Sequence, residues 1–216
     1  MGEETDKGWE GTPLCLQDAM GQARFLEMYG GAVQKVMGIT EEVINCLETK
    51  YGREILSGIS GRIKTPESAG RKLMKKGCDI TLSNAVDKLN DIAGVRVTCY
   101  FLDDVYELAR HLKKHNQLHF IKEKNYIERP KASGYKSLHL IAEVPVTVED
   151  NEMWIKTEIQ IRTLAMDFWA RLDHRLCYKK DVKSSKSIQK DLREYADIIS
   201  RVDVQMLSLR KRIDAL

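Results

Sequence analysis

A Gly-hinged loop followed by an alternating strand is the sequence feature that most constrains this fold. The loop spans residues 131–139 (KASGYKSLH) and the strand spans residues 157–163 (TEIQIRT). Successive side chains of a strand alternate between its faces, so Glu158, Gln160 and Arg162 share one face. The strand alone is more typical of a sheet edge with a solvated polar face. Together with a basic loop that carries an aromatic ring, it predicts a site for a metal-bound nucleotide.

Length and charge set limits on what the chain can do. With 216 residues, 43% hydrophobic and 31% charged, it is expected to form one domain, or a domain with helical extensions, around a sizeable core. A net charge of +3 argues against a protein that binds long nucleic acids over its whole surface, so RNA binding is possible but not indicated. Local basic clusters on a near-neutral protein favour small polyanions. These clusters are Arg71, Lys72, Lys75 and Lys76, and Lys122, Lys124, Arg129, Lys131 and Lys136.

Cysteine usage and hydropathy predict a cytoplasmic protein. The five cysteines are scattered and contain no Cys-x-x-Cys pair, which is typical of reduced thiols and of neither a zinc site nor a disulfide framework. No apolar run approaches the ~20 residues of a membrane span, so no membrane partner is expected.

Hydrophobic periodicity predicts an α/β fold with helical extensions at both ends. Residues 1–13 are expected to be a flexible N-terminus. Two helices are predicted between residues 14 and 50, with an interruption at Gly30-Gly31. Further helices are predicted at 66–76, 104–114, 165–179 and 186–216. A short strand broken by Gly58 and Gly61 is predicted at 54–64, a buried strand at 92–101, and two or three further strands at roughly 118–127, 137–146 and 153–163.

Two carboxylates are candidate metal ligands. Asp91 stands immediately before the strand that contains Arg96, and Glu158 lies within another strand. If these strands are neighbours, both groups can share one Mg²⁺, which prefers a few carboxylates plus substrate phosphates.

The segment GRIKTPES, residues 61–68, predicts a phosphate site. Arg62 and Lys64 alternate along an extended segment, while Ser68 and Lys72 lie four apart on one helical face. A helix N-terminus favours anions, so these groups can grip a triphosphate. No Walker loop is present. Each position taken alone is more often a surface ion-pair residue.

Tyr135 and His139 are candidates for contacts with a nucleotide. An aromatic face between Gly134 and Lys136 is typical of a nucleobase platform, and equally of a strand-end tyrosine in the core. His139 can contact phosphate or ribose, although a lone strand histidine is more often structural. Asp173-His174 lacks the second His-rich segment that a hydrolytic metal site requires.

Five motifs together resemble one family. Over residues 55–180, GRIKTPES, NDIAGVRV, EKNYIERPKASGYKSLHL, TEIQIRTLAMDFWA and LDHRLCYK are similar, in order and spacing, to the synthetase domain of RelA/SpoT-homologue alarmone synthetases in their small single-domain form. The resemblance implies a nucleotidyltransferase-like mixed sheet flanked by helices. It also implies transfer of the β,γ-pyrophosphate of ATP to the 3′-hydroxyl of GDP or GTP, giving ppGpp or pppGpp and AMP, without alarmone hydrolysis.

The resemblance also implies roles for individual residues. Asp91 and Glu158 become Mg²⁺ ligands, and Glu158 is in addition the base for the 3′-hydroxyl. Tyr135 becomes the guanine platform. The resemblance assigns the ATP phosphates to Arg62, Lys64, Ser68 and Lys72, and stacking on adenine to Arg96. It assigns the acceptor nucleotide and its phosphates to Lys122, Lys124, Lys131, Lys136, His139 and Gln160.

Residues 181–216 carry a separate signal after the synthetase domain, which spans 14–180 with its N-terminal helices. Nine apolar residues repeat at heptad spacing. This stripe can pack against the N-terminal helices of the same chain or between chains, and the family resemblance favours a homo-oligomer, commonly a tetramer. The nine are Ile188, Leu192, Tyr195, Ile199, Val202, Met206, Leu209, Ile213 and Leu216.

Two other functions are compatible with these residues. A toxin-like relative would pyrophosphorylate adenine nucleotides or the 3′ end of tRNA, because every base offers a face for stacking on Tyr135. A catalytically silent module would bind nucleotides or RNA through the basic clusters alone. Asp91 and Glu158 argue against the silent module, since a polyanion binder gains nothing from two carboxylates in its groove.

Overall fold

Five strands form one mixed sheet in the order β1-β2-β5-β4-β3. The computed structural model describes residues 14–176 and 186–216. The expected flexible segment 1–13 and the part of the last motif after Leu176 lie outside these ranges. The strands are β1 Leu56–Ile63, β2 Ala93–Cys99, β3 His119–Asn125, β4 Leu138–Val148 and β5 Asn151–Thr163. The helices are α1 Leu14–Gly21, α2 Ala23–Tyr51, α3 Pro66–Met74, α4 Leu82–Lys88, α5 Leu102–Leu112, α6 Leu164–Leu176 and α7 Lys186–Ile213.

The sheet has one apolar face and one polar face. Val95 and Val97 of β2 and Ile159 and Ile161 of β5 are buried in the same core cluster as the inner side of α2. Because side chains alternate along a strand, the intervening residues face the opposite side of the sheet. Glu158 therefore lies on the face that α2 leaves uncovered.

Strand pairing brings the predicted site segments together. β2 and β5 are parallel neighbours, with Gly94 opposite Glu158 and Arg96 opposite Gln160. On the far side of β5, His139 of β4 lies opposite Gln160. The strand that follows Asp91 and the strand that contains Glu158 are therefore neighbours, which is the condition for the two carboxylates to share one Mg²⁺.

Most predicted elements are confirmed, but the interruption at Gly30-Gly31 is wrong, and β1 is one strand that contains both Gly58 and Gly61. Helix α2 runs without a break through both glycines, and the first two helices are instead separated at Gln22. A Cβ at Gly31 would lie 3.0 Å from Val146 Cγ1 of β4. Gly31 therefore allows close packing of helix on sheet and does not end the helix. Helix α4 was not predicted. Thr81 caps its N-terminus, because the Thr81 side chain accepts a hydrogen bond from the backbone N–H of Asn84.

Helix α7 divides the predicted heptad stripe between two environments. Leu192 packs in a buried cluster of its own chain with Trp169, and Ile199 lies against that cluster. The other seven members of the stripe are all exposed, and they are Ile188, Tyr195, Val202, Met206, Leu209, Ile213 and Leu216. Within the described residues, no helix has both the length and the apolar character that crossing a membrane requires.

Candidate active site

A cavity of about 860 Å³ opens on the polar face of the sheet. This volume lies within the usual range for a ligand site, about 300–1,000 Å³. Its lining contains eight Arg or Lys side chains and three Asp or Glu side chains, so the field inside favours a polyanion. The lining comes from β1, α3, the loop before β2, β2, β3, the loop before β4, β4, β5 and α6.

Five side chains in the cavity form a closed ring of hydrogen bonds. Tyr135 Oη lies 2.9 Å from His139 Nε2, and His139 Nδ1 lies 3.1 Å from Glu158 Oε1. Gln160 Nε2 donates to Glu158 Oε2 at 2.7 Å. Arg162 Nη2 closes the ring by donating to Gln160 Oε1 at 3.1 Å and to Tyr135 Oη at 2.6 Å. The ring fixes the carboxylate and the aromatic ring relative to each other.

The donors in this ring determine the tautomer of His139. Because Tyr135 Oη accepts from Arg162, its own proton points to His139 Nε2. His139 then carries its proton on Nδ1 and donates it to Glu158. Burial lowers the pKa of His139, and the neighbouring Glu158 offsets this only in part. The imidazole is therefore neutral at pH 7.

Glu158 is held as a carboxylate. Burial alone would raise its pKa, but the hydrogen bonds from His139 and Gln160 outweigh it and hold the pKa below its ordinary value. Both carboxylate oxygens accept one bond within the ring. A carboxylate oxygen has a second lone pair, so Glu158 can still accept a proton from a bound hydroxyl.

Asp91 forms a second charged centre at the β1–β2 side of the cavity. Its Oδ2 atom lies 3.0 Å from Lys64 Nζ and 2.8 Å from Lys72 Nζ. Burial raises the pKa of Asp91, but Lys72 and Lys64 outweigh it and lower the pKa. Its other oxygen, Oδ1, is buried without a hydrogen-bond partner. A buried carboxylate oxygen with an unused acceptor position fits a cation.

Two tyrosines and one lysine form an aromatic corner beside the loop. The rings of Tyr126 and Tyr135 meet edge to face, with centroids 6.1 Å apart. Lys131 Nζ lies 4.7 Å from the first ring centroid and 4.6 Å from the second. Arg162 Cζ lies 5.1 Å from the centroid of the Tyr135 ring. Aromatic rings beside cations are suited to bind a nucleotide, because the nucleobase can stack on a ring while the cations bind its phosphates.

The structure brings ten of the fourteen predicted site residues to the cavity lining. They are Arg62, Lys72, Asp91, Arg96, Lys124, Lys131, Tyr135, His139, Glu158 and Gln160.

The other four predicted residues do not line the cavity. Lys64 reaches it only through its bond to Asp91. Ser68 accepts from the Thr65 hydroxyl at 3.1 Å at the start of α3. Lys122 is exposed on β3. Lys136 points towards α7, where its Nζ lies 3.8 Å from Asp197 Oδ1.

Other lining residues were not among the predicted site residues. Tyr126, Arg162, Arg171 and Arg175 all line the cavity. Tyr126 lies just before the basic loop, so its position next to several lysines was the sequence signal by which it could have been predicted as a site residue. Arg171 and Arg175 lie one turn apart on α6, but nothing in the helical period indicated which wall of the molecule α6 would cover.

The residues that line the cavity lie within a region that a sequence-family model matches. A family model described as the region found in RelA / SpoT proteins matches residues 61–183, which include the whole cavity lining. The chain belongs to the RelA/SpoT family. The family predicted from the five motifs is thereby confirmed.

Curated RelA/SpoT relatives cover most of the chain. GTP pyrophosphokinase YwaC of Bacillus subtilis (strain 168) is 43% identical over 164 residues, which cover 76% of this chain and 78% of the relative. GTP pyrophosphokinase YjbM of the same organism is 29% identical over 208 residues, which cover 96% of this chain and 91% of the relative.

Solved structures of small alarmone synthetases share the fold. Small alarmone synthetase 1 from Bacillus subtilis, bound to its product pppGpp, superposes with a TM-score of 0.80 at 30% identity, covering 88% of this chain and 96% of that one. A GTP pyrophosphokinase family protein from Streptococcus pneumoniae gives 0.76 at 37% identity, covering 88% of this chain and 92% of that one. The predicted mixed sheet flanked by helices is confirmed.

Proposed function

We propose that the chain transfers the β,γ-pyrophosphate of ATP to the 3′-hydroxyl of GDP or GTP, giving ppGpp or pppGpp and AMP. One observation carries this proposal: Glu158 is an ionised carboxylate in a cavity whose remaining charge is mostly positive, and His139 links it to the hydroxyl of Tyr135. The reaction needs a base for the hydroxyl proton, positive charge for the phosphates and an aromatic face for the nucleobase, and the cavity contains all three.

Glu158 is the general base in this proposal. One of its unused lone pairs accepts the 3′-hydroxyl proton as the oxygen attacks the β-phosphorus of ATP, and the bond from this phosphorus to the α,β-bridging oxygen breaks, so that AMP leaves. A base within hydrogen-bond reach contributes about 10²- to 10⁴-fold to the rate. His139 and Gln160 hold both oxygens in place, so the carboxylate does not have to reorganise during the attack.

Cations supply the second contribution. Phosphoryl transfer depends mainly on alignment and on neutralising charge that spreads over the phosphate oxygens. Arg62 and Lys72 line the β1–α3 side of the cavity and are assigned to the ATP phosphates. Lys64, which is bonded to Asp91, and Ser68 at the start of α3 are assigned to the same phosphates. Arg96 on β2 is assigned to stacking on adenine.

The acceptor is assigned to the opposite side of the cavity. Tyr135 provides the base platform, and Tyr126 forms its edge. Lys124 and Lys131 line the cavity beside these rings and are assigned to the acceptor phosphates. Lys122 and Lys136, which do not line the cavity, are assigned to the acceptor nucleotide as well.

Mg²⁺ is the proposed cofactor, held by Asp91 and Glu158. The unpartnered Oδ1 atom of Asp91 fits this role. The described residues contain no group of three or more His, Cys, Asp or Glu that could hold a metal, and Mg²⁺ usually takes one or two carboxylates together with substrate phosphates. When bound, Mg²⁺ neutralises phosphate charge at the transferred group.

Product identification tests this function. Purified protein is incubated with ATP, Mg²⁺ and, in parallel, GDP, GTP, GMP, ADP or tRNA, and the products are identified by mass. We expect a mass gain of two phosphates on the guanine nucleotides. Modification of adenine nucleotides or tRNA alone would identify a toxin-like activity, and no product with any acceptor would identify a silent binding module.

The proposal includes a compartment and an assembly. The four described cysteines are free, which suits the reducing cytoplasm. The exposed members of the α7 stripe support a homo-oligomer, for which the motif resemblance implies a tetramer.

A further inference from the structure

The loop that carries Tyr135 rests directly on the backbone of helix α7. Gly134 has a positive φ of +87°, and a Cβ at this position would lie 2.6 Å from Ala196 Cβ and 3.2 Å from Arg193 Cα. Real Cβ atoms do not approach one another so closely. Loop and helix are therefore in contact only because residue 134 has no side chain and residue 196 has a single methyl group.

The next residue of the loop, Tyr135, also packs against helix α7. Trp169, Leu192 and Ala196 form a small buried cluster, and the half-buried Tyr135 packs against it. Trp169 Nε1 donates to the Leu192 carbonyl oxygen at 3.2 Å, which ties α6 to α7. The ring of Tyr135 thus has the cavity on one side and helix α7 as its support.

Helix α7 is itself anchored at two further points. Thr163 Oγ1 donates to the buried Asp203 Oδ2 at 2.6 Å, one residue after Arg162 at the end of β5. Near its C-terminal end, Arg210 Nη2 donates to Asp103 Oδ2 at 2.6 Å. Because these bonds hold the helix in place, a larger side chain at residue 196 displaces the loop more easily than the helix.

We propose that Ala196 is a positioning residue for the acceptor nucleotide, setting the depth at which Tyr135 stands in the cavity. This inference rests on the proposed function, in which the acceptor base lies on Tyr135. It assigns to the C-terminal helix a part in acceptor selection that does not involve any contact with substrate. The ATP side of the cavity, formed by Arg62, Lys72 and Asp91, does not include this contact.

The test enlarges residue 196 and measures each substrate separately. Ala196→Leu and the milder Ala196→Val should raise the Kd and KM for GDP by about tenfold or more, while the KM for ATP stays within about twofold. Ser208→Val adds a branched side chain to an exposed position of the same helix and is the matched control. Should the leucine variant fail to fold, the valine variant still supplies the measurement.

A second readout separates this inference from the proposed function. Hydrogen exchange reports the loop bonds from the Gly134 amide to the Lys131 carbonyl at 2.8 Å and from the Lys131 amide to the Tyr135 carbonyl at 3.2 Å. Both amides should exchange faster in the Ala196 variants and not in Ser208→Val. Unchanged exchange, or equal losses for GDP and ATP, would overturn the inference. A wild-type protein that binds no guanine nucleotide would instead overturn the function.

Discussion

His139 presents its Nδ1 atom to Oε1 of Glu158 at 3.1 Å, and both side chains are buried. A neutral imidazole that donates one hydrogen bond fixes the carboxylate without protonating it. The same imidazole accepts from Tyr135, so one side chain links the proposed base to the proposed acceptor platform.

Removing the charge of Glu158 should abolish synthesis. Glu158→Gln keeps the size of the side chain and one acceptor oxygen but cannot take a proton, so we expect the rate to fall by about 10²- to 10⁴-fold. Glu152→Gln changes an exposed residue of the same strand and should behave as wild type. Initial rates and thermal melting check both variants. A Glu158→Gln enzyme that keeps more than about a tenth of the rate would remove this residue from its central role.

The ring and the hydroxyl of Tyr135 should have separable effects. Tyr135→Ala should weaken GDP binding by about 1–3 kcal/mol if a base stacks there, with ATP binding little changed. Tyr135→Phe keeps the ring but removes the bonds to His139 and Arg162, so it should lower kcat more than it raises the KM for GDP. Calorimetry and steady-state kinetics measure both. Equal losses for GDP and ATP after Tyr135→Ala would indicate a purely structural tyrosine.

Much of the fold could be predicted from sequence because alternation and helical period report burial directly. The polar face of β5 was identified in this way. Gly30-Gly31 could not be interpreted correctly, because the sequence does not show that the sheet residue Val146 approaches α2 at Gly31. Tyr126 and Arg171 were missed for a similar reason, since tertiary contacts between a loop, a helix and a strand decide which side chains share a cavity.

Metal dependence should be traceable to Asp91. Chelation should stop synthesis, and Asp91→Asn should raise the Mg²⁺ concentration for half-maximal activity by at least about tenfold, the size of effect seen even for outer-shell partners of metals. Asp87→Asn, at an exposed position of α4, is the control. Titration of activity with Mg²⁺ gives the result. An unchanged Mg²⁺ requirement in Asp91→Asn would exclude this carboxylate as a ligand.

His139 should make stability depend on pH in a defined window. Burial lowers its folded-state pKa from the ordinary 6.5, so between these two values the unfolded chain binds more protons. The free energy of unfolding should therefore fall as the pH drops below about 6.5 and level off below the folded pKa. Denaturant titrations at several pH values should show that His139→Asn flattens this segment. The exposed His119→Asn is the comparison, and an unaltered slope in His139→Asn would contradict the assignment.

Self-association should depend on the exposed stripe of α7. Val202 and Leu209 are 49% and 43% exposed and lie seven residues apart, whereas Leu192 is buried in its own chain. Val202→Glu with Leu209→Glu should therefore lower the solution mass without unfolding the protein, because unpaired carboxylates oppose burial between chains. Light scattering measures the mass. A wild-type protein that is already monomeric at micromolar concentration would disprove the oligomer.

The most direct measurement follows each phosphate of ATP during the reaction. ATP is labelled separately at its α-, β- and γ-phosphates and incubated with GDP, Mg²⁺ and the enzyme. Pyrophosphate transfer predicts that the β and γ labels both enter the guanine product, while the α label leaves as AMP in equal amount. A product that carries the γ label alone, with the β label left in ADP, would show a single-phosphate kinase and contradict the proposed reaction.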